Sequence, residues 1–342
     1  MTQRTVTMKD VARAAGVSVM TVSRAFKADS SVSAAKRAQI LKLAEDLGYV
    51  MDSTAANLRS QRSDFVAVTI PSLNNANFAD TVSAMSEVLE KSGMQILLGY
   101  TNYDIQQEER LVAQFLQRKP AAIVVTGGLH TDRTRKLLAN AGIPVVQTWD
   151  LPADPIGHVV GFSNALSMEP LVAHLHTTGR QRIAFIGGDA TGDTRGAERR
   201  KGFIQSMTAR GLDANRLIPG GQVPISMKEG AAAMATLLSD LPDTDAVICV
   251  SDLSAFGALS ECARRGIAVP DDIAIAGFGA YEIAGVAHPT ITTINPHPRR
   301  IGSRTAELLL MTLGKKAIVD TMRFEITPDF VLGGSTASRD DI

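Results

Sequence analysis

At 342 residues, with 45% hydrophobic and 20% charged residues, the chain suits two or three domains with sizeable cores and is not disordered. A net charge of zero hides an asymmetry: residues 1–62 hold ten Lys or Arg against five acids, so a small basic head precedes an acidic body, which fits either contact with a polyanion or merely a soluble surface. Only two cysteines, Cys249 and Cys262, are present, which excludes a disulfide framework or a zinc site of their own; the absence of a secretory h-region or of an apolar run near the roughly 18 residues that span a bilayer predicts a cytoplasmic protein without a membrane partner.

Three short helices are predicted over residues 5–50. Thr7-x-x-Asp10 opens the first as a capping-box-like start, and Gly16 stops it. Ser18 caps the second, which runs to about Phe26. Val22 and Phe26 share one face of it, with Val11 and Ala12 available to pack there. Val19, Met20, Ser23, Arg24 and Lys27 fall on the other side. Ser33 caps the third, with Ile40, Leu43, Ala44 and Leu47 inward, and Gly48 ends it. Two helices joined by a tight turn and completed by a third follow the helix-turn-helix plan. The next stretch, "MDSTAANLRSQRS" (51–63), has linker composition. Its "TAANL" is too short to hold a helix in water unaided, so order there is expected only against a partner.

From Phe65 onward, β-branched runs alternate with helical stretches. "FVAVTI", "MQILLGY", "AAIVVTG" and "IPVVQTW" are separated by helices near 77–92, 105–118 and 131–141. "HVVGF", "RIAFIGG", "AVICV" and "IAIAGF" follow, with helices near 165–178, 196–211, 227–239 and 253–265. Buried runs alternating with helices predict an α/β body of parallel sheets covered on both faces. There are too many strands for one usual sheet, so a seam near 158–162 divides the body into two doubly wound lobes. "TITTINPH", a helix over 298–313 and "FEITPDFVLGG" cross back between them. The expected boundaries are 1–50 for the head, 51–63 for the linker and 64–342 for the body. Lobe one takes about 64–160 plus 294–320, and lobe two about 161–291 plus 322–338. A crevice at the carboxyl ends of the strands is where a small ligand is expected.

Enzyme motifs are missing: there is no G-x-S-x-G, no G-x-x-x-x-G-K-[ST] and no H-E-x-x-H. "GGDATGDTRG" does not satisfy G-x-G-x-x-G, and His174 and His176, two apart on a helix, make a poor metal pair. Neither an enzyme, a cofactor nor a metal is expected.

"MKDVARAAGVSVMTVSRAFK" with "VSAAKRAQILKLAEDLGYVMDSTAANLRS" resembles the head of the LacI/GalR bacterial transcription regulators. "IPSLNNANFADTVSAMSEVLEKSGMQILL", "DAVICVSDLSAFGALSECARRGIAVPDDIAIAGFG" and "PTITTI" continue the likeness through the body, which the family builds like a periplasmic binding protein. Within the family, "MTVSRAFK", "LHTDRT" and "VPDDIAIAGF" resemble the members that control gluconate utilisation. The resemblance implies a repressor that binds double-stranded operator DNA as a homodimer on a pseudo-palindrome, under a small-molecule effector. A sugar or purine co-repressor remains an alternative, as does a solute-binding protein without a DNA role. The basic head and the lack of an export signal argue against the latter.

The candidate DNA-facing residues follow. Val19, Met20 and Arg24 are placed at base edges, Arg24 having the fork that matches a guanine. Thr21 and Ser23 either donate to phosphates or cap and solvate the helix, and Thr7 joins the same set. Leu58 resembles the family's hinge leucine, a minor-groove wedge, or is a core leucine under the body. Ala55, one turn earlier, lets two hinge helices approach. In the cleft, Arg199, three residues before Gly202, aligns with the family's effector-clamping arginine, and Arg195 lies one turn earlier. Phe78 and Trp149 supply an apolar wall. Asp150, Ser251 and Asp252 sit at strand ends, where Asp252 either faces the cleft or caps the following helix. Sugar-binding members carry an Asp where this chain has Gly279. A missing carboxylate beside two arginines suits an acidic ligand, such as a sugar acid acting as inducer.

Overall fold

A computed structural model of the chain describes residues 5–26, 31–51, 63–313 and 320–337. Two compact units divide it, one up to Ser63 and one from Asp64. The expected hinge, with Ala55 and Leu58, lies outside the described residues, as does Lys27.

The head has three helices, α1 (Met8–Ala15), α2 (Val19–Ala25) and α3 (Ala34–Asp46). Thr7 closes the first turn of α1 by donating its backbone N–H (3.0 Å) and hydroxyl (2.6 Å) to the Asp10 carboxylate. Ser18 Oγ accepts the Thr21 N–H at 3.2 Å and so caps α2. Val11, Ala12, Ala15, Val22, Ala25, Ile40 and Ala44 form the core, with Phe26, Leu43 and Tyr49 packed around it. Two cations of α3 satisfy the carboxyl ends of the other helices: Lys36 Nζ donates to Ala15 O (3.3 Å) and Arg37 Nε to Ala25 O (2.9 Å). Leu47, expected inward, is 39% exposed. It is the C-cap of α3, one residue past the last inward turn, and the ring of Tyr49 packs on Phe26 in its place.

The first sheet of the body contains β1 (Phe65–Ile70), β2 (Gln95–Tyr100), β3 (Ala122–Thr126), β4 (Val145–Thr148), β5 (His158–Gly161) and β11 (Arg323–Glu325). Their order is β11-β5-β4-β3-β1-β2, and all pairs are parallel. Helices α4 (Ala76–Glu90), α5 (Ile105–Gln117) and α6 (Asp132–Ala139) connect the strands. Strand pleat explains the continuous apolar runs. Val66 and Val68 of β1 pack with Met85 and Leu89 of α4, while Ala67 between them packs with Val112 and Phe115 of α5 and Leu138 of α6 on the other face.

The second sheet holds β6 (Ile183–Ile186), β7 (Leu217–Ile218), β8 (Ala246–Cys249) and β9 (Ala274–Ala276), in the parallel order β7-β6-β8-β9. Around it run α7 (Glu169–Thr177), α8 (Thr194–Ala209), α9 (Met227–Asp240), α10 (Asp252–Arg265) and α11 (Glu282–Val286). Cys249 and Cys262 are free and fully buried in its core, and burial pushes the Cys249 thiol up to about 12, so it is held as an inert thiol.

The chain crosses between lobes three times. It leaves β5 for the second sheet, and returns through β10 (Thr293–Asn295) to α12 (Pro298–Thr312), which packs on α4. After β11 it runs through β12 (Asp329–Val331), antiparallel to β10, to Ser335, which exchanges hydrogen bonds with Ile275 in the second lobe. The expected assignment of 322–338 to lobe two is therefore corrected. Arg323–Glu325 pair with Val159–Gly161 at the edge of the first sheet, and only the end of the segment joins the second. A three-residue strand with a single apolar residue, Phe324, is too short a pattern to show which edge it completes. No helix among the described residues is long and apolar enough to cross a membrane.

Candidate functional site

Between the lobes lies a cleft of about 170 Å³, below the roughly 300–1,000 Å³ of drug-sized sites. It suits a small ligand. Strand ends and helix starts supply its lining, as the topology demands. From the first lobe come Asn75, Phe78, Tyr103 and Trp149. From the second come Asp193, Arg195, Arg199, Ser251, Phe278 and Tyr281.

The two arginines sit one turn apart on α8. Arg199 is fixed by three contacts. Its Nε donates to Asn164 Oδ1 at 3.1 Å and its Nη1 to Val250 O at 2.7 Å, and its guanidinium lies 3.8 Å from the centre of the Phe278 ring. Burial lowers its pKa from the ordinary value, yet a guanidinium remains a cation. Arg195 is 4% exposed and stands over the Phe78 ring at 5.5 Å. It forms no hydrogen bond to another described residue, and neither arginine is ion-paired with a carboxylate among them. The one carboxylate lining the cleft, Asp193, accepts the Gly196 N–H at 3.1 Å as the N-cap of α8. One buried and one half-buried cation therefore face one capped anion.

The apolar wall is an aromatic stack. Trp149 meets Phe78 edge-on at 5.2 Å and Phe162 at 6.0 Å, and Phe162 stacks on Phe278 at 6.0 Å. The indole Nε1 of Trp149 is buried without a hydrogen-bond partner among the described residues. At the rear, the lobes are tied by Tyr281, which donates its hydroxyl to Asn75 Oδ1 at 2.9 Å, and by Asn77, whose Nδ2 donates to Gly279 O at 3.1 Å. Gly279 has φ +128°, and a Cβ there would lie 3.0 Å from Asn77 Nδ2. The positive φ is what favours glycine at this position.

Of the expected cleft residues, Phe78, Trp149, Arg195, Arg199 and Ser251 line it, Ser251 with its hydroxyl capping α10. Asp150 and Asp252 do not. Trp149 has φ +69°, a left-handed backbone that puts Trp149 in the wall, and the Asp150 carboxylate accepts its neighbour's Leu151 N–H at 2.9 Å instead. Asp252 is fully buried behind the cleft. It accepts the Thr293 hydroxyl at 2.6 Å and the Tyr281 N–H at 2.8 Å, and burial raises its carboxyl to about 6. Tyr103, Asp193 and Tyr281 were not foreseen. Their signal was position: each follows a strand's carboxyl end in the chain, where crevice residues concentrate.

In the head, Val19 (40%) and Met20 (57%) are exposed large apolar residues beside exposed Arg24. The Thr21 hydroxyl already has a partner in Ser18 Oγ at 2.9 Å, and that of Thr7 is bound to Asp10. Ser23 is half-buried. Among the described residues no group of three metal-binding side chains comes together.

Comparison with known proteins accounts for both units. Residues 7–52 match the bacterial regulatory proteins of the lacI family, and residues 172–336 the periplasmic binding protein-like domain. The HTH-type transcriptional regulator GntR of Pseudomonas aeruginosa is 34% identical over 94% of each chain. The HTH-type transcriptional regulator IdnR of Escherichia coli is 32% identical over 91% of this chain and 92% of its own. The crystal structure of a LacI family transcriptional regulator from Silicibacter pomeroyi superposes with a TM-score of 0.74 at 40% identity, covering 79% of this chain and 98% of that one. A helix-turn-helix head followed by a periplasmic-binding-protein-like body, with relatives that are transcriptional regulators over most of the chain, defines a DNA-binding transcriptional regulator and not an enzyme. The chain belongs to the lacI family of bacterial transcriptional regulators.

Proposed function

We propose that this regulator is a repressor whose effector is a sugar acid of the gluconate type, acting as inducer. The observation that carries the reading is the pair Arg195 and Arg199, two cations in one cleft without a carboxylate ion-paired to either among the described residues. Arg195 has donors to spare for a ligand carboxylate, and polar groups from Asn75, Tyr103 and Ser251 suit its hydroxyls. The aromatic wall suits the apolar edge of a polyol chain. The sequence resemblance to gluconate-utilisation members points the same way.

On the DNA side, Arg24 is read as the base-recognising cation, with Val19 and Met20 against groove walls or thymine methyls. Ser23 remains a phosphate-contact candidate. Thr7 and Thr21 support contacts to phosphate only by sharing hydroxyls that already serve as caps. One such head reads a half-site, so a homodimer on a pseudo-palindromic operator is the expected assembly, acting on the chromosome and hence in the cytoplasm. Ala55 and Leu58 belong to the same reading as hinge contacts. The effector works by linkage, favouring a lobe arrangement that binds operator less well. Fluorescence anisotropy of a labelled palindromic operator, titrated with gluconate in the presence of the protein, tests this. Release by gluconate is expected. Tightened binding would make the ligand a co-repressor, and operator release by a neutral sugar alone would overturn the acid.

A further inference from the structure

At the mouth of the cleft, the turn after β2 meets the loop before α8. Asn102 (φ 52°) and Tyr103 (φ 60°) are consecutive non-glycine residues in the left-handed region. Residues in that region persist only where their surroundings over-determine them, and they cluster at ligand clamps. Their conformation brings the Tyr103 carbonyl to Gly192 of the opposite lobe. A Cβ built on Gly192 would lie 2.0 Å from that oxygen, with Gly192 itself at φ +90°. The contact joins two lobes through backbone alone. Beside it, Arg195 bridges the same gap. A Cβ on Gly127 of the first lobe would stand 3.0 Å from Arg195 Nη1, and its guanidinium sits over Phe78, also of the first lobe. Tyr103 carries a second feature into the cleft, since its side chain lines it next to Asp193 and Arg195. Burial, followed by the Asp193 charge, raises its phenol, so the hydroxyl stays protonated and can donate.

We propose that the Tyr103 carbonyl seated on Gly192 is the latch that shuts this cleft. The latch rests on the reading of the cleft as the effector site, but its test needs no effector. Glycine is required at 192 because any side chain holds the two loops apart. Opening then exposes the cleft floor, where Trp149, the only tryptophan of the chain, is 2% exposed.

Acrylamide quenching of Trp149 fluorescence in the full-length, ligand-free protein reads the latch directly. In the wild type the indole is shielded. Gly192→Ala is expected to raise the quenching constant roughly tenfold, as the open state moves from a minor population to the main one. Gly211→Ala is the control: it also sits at a positive φ, +68°, with nothing within 4 Å of its Cβ, so it tests a positive-φ alanine without the collision. It is expected to quench like the wild type. If Gly192→Ala fails to fold by near-ultraviolet circular dichroism, Gly192→Asn supplies the same Cβ on a residue that tolerates positive φ. Quenching of the Gly192 variant at the wild-type level overturns the latch, as does an equal rise in the Gly211 control. Gluconate titration of the wild type is a separate measurement: its failure removes the proposed ligand and leaves the latch to be decided by quenching.

Discussion

The guanidinium of Arg199 lies 3.8 Å above the centre of the Phe278 ring while its Nη1 donates to the Val250 carbonyl at 2.7 Å. Stack and hydrogen bonds together fix the plane of the cation before any ligand arrives. Preorganisation of this kind is what an ammonium on a flexible stem lacks.

Arg199→Lys is therefore expected to bind gluconate about 1.5–3 kcal/mol more weakly, a loss of roughly tenfold to more than a hundredfold. Isothermal titration against the wild type measures it. Unchanged affinity would mean that Arg199 serves the fold alone.

Asp252 predicts an unusual pH dependence. Its carboxyl is raised to about 6 in the folded protein by burial, against the ordinary carboxylate value of 3.8. Between about pH 4 and 6 the folded state thus holds a proton that the unfolded state has lost, and stability at this site falls as pH rises through that window. The shift corresponds to about 3 kcal/mol. Compared with Asp252→Asn, the wild type is expected to lose stability steadily from pH 4 to 6 and to show a constant difference above it. Urea midpoints of the pair across this range give the answer. Exposed carboxylates whose partners lower their pKa, such as Glu169 beside Arg210, act equally in both proteins and cancel.

A buried network in the first lobe predicts a large effect on stability. Gln147 Oε1 accepts the Ile156 N–H at 2.7 Å, so its amide NH2 faces His130 Nε2 at 3.1 Å. The ring proton then sits on Nδ1 and donates to Glu108 Oε1 at 2.6 Å. His130→Ala strands the buried Glu108 carboxyl and leaves the Gln147 amide nitrogen only its long contact with Gly127 O, at 3.5 Å. A loss of about 2–4 kcal/mol in chemical denaturation is expected. A loss under 1 kcal/mol would show that water replaces the imidazole without cost.

The head predicts a separation of affinity from specificity. Arg24→Ala is expected to cost about 1–3 kcal/mol on the preferred operator and much less on random DNA at the same salt. Equal losses on both would make Arg24 a phosphate contact.

The elements of the fold were legible because their signals are local and repeated. Thr7 with Asp10, Ser18 and Gly16 mark helix ends by short-range chemistry, and apolar runs such as "FVAVTI" announce strands buried on both faces. The cleft was legible as far as topology reaches, since Phe78, Arg195, Arg199 and Ser251 stand at helix starts or one turn on. It failed where one backbone angle decides side-chain direction. Trp149 and Asp150 were both expected in the cleft; with Trp149 at a left-handed φ the indole lines it, while the Asp150 carboxylate takes the Leu151 N–H instead. Asp252 was misplaced for a related reason. A carboxylate at the first position of a helix reads the same whether it faces the ligand or the crossover strand, and only the position of Thr293, 41 residues on, settles it. Tyr103 and Gly192 meet through a carbonyl and a hydrogen, groups that no side-chain pattern reports.

The central claim is that Arg195 and Arg199, without a carboxylate ion-paired to either among the described residues, select an acid. Isothermal titration of the wild-type protein with gluconate and with glucose under identical buffer tests it most directly. The account predicts saturable binding of gluconate and binding of glucose at least roughly a hundredfold weaker, because a neutral sugar offers Arg195 no carboxylate to pair with. Tight binding of glucose with none of gluconate would contradict it.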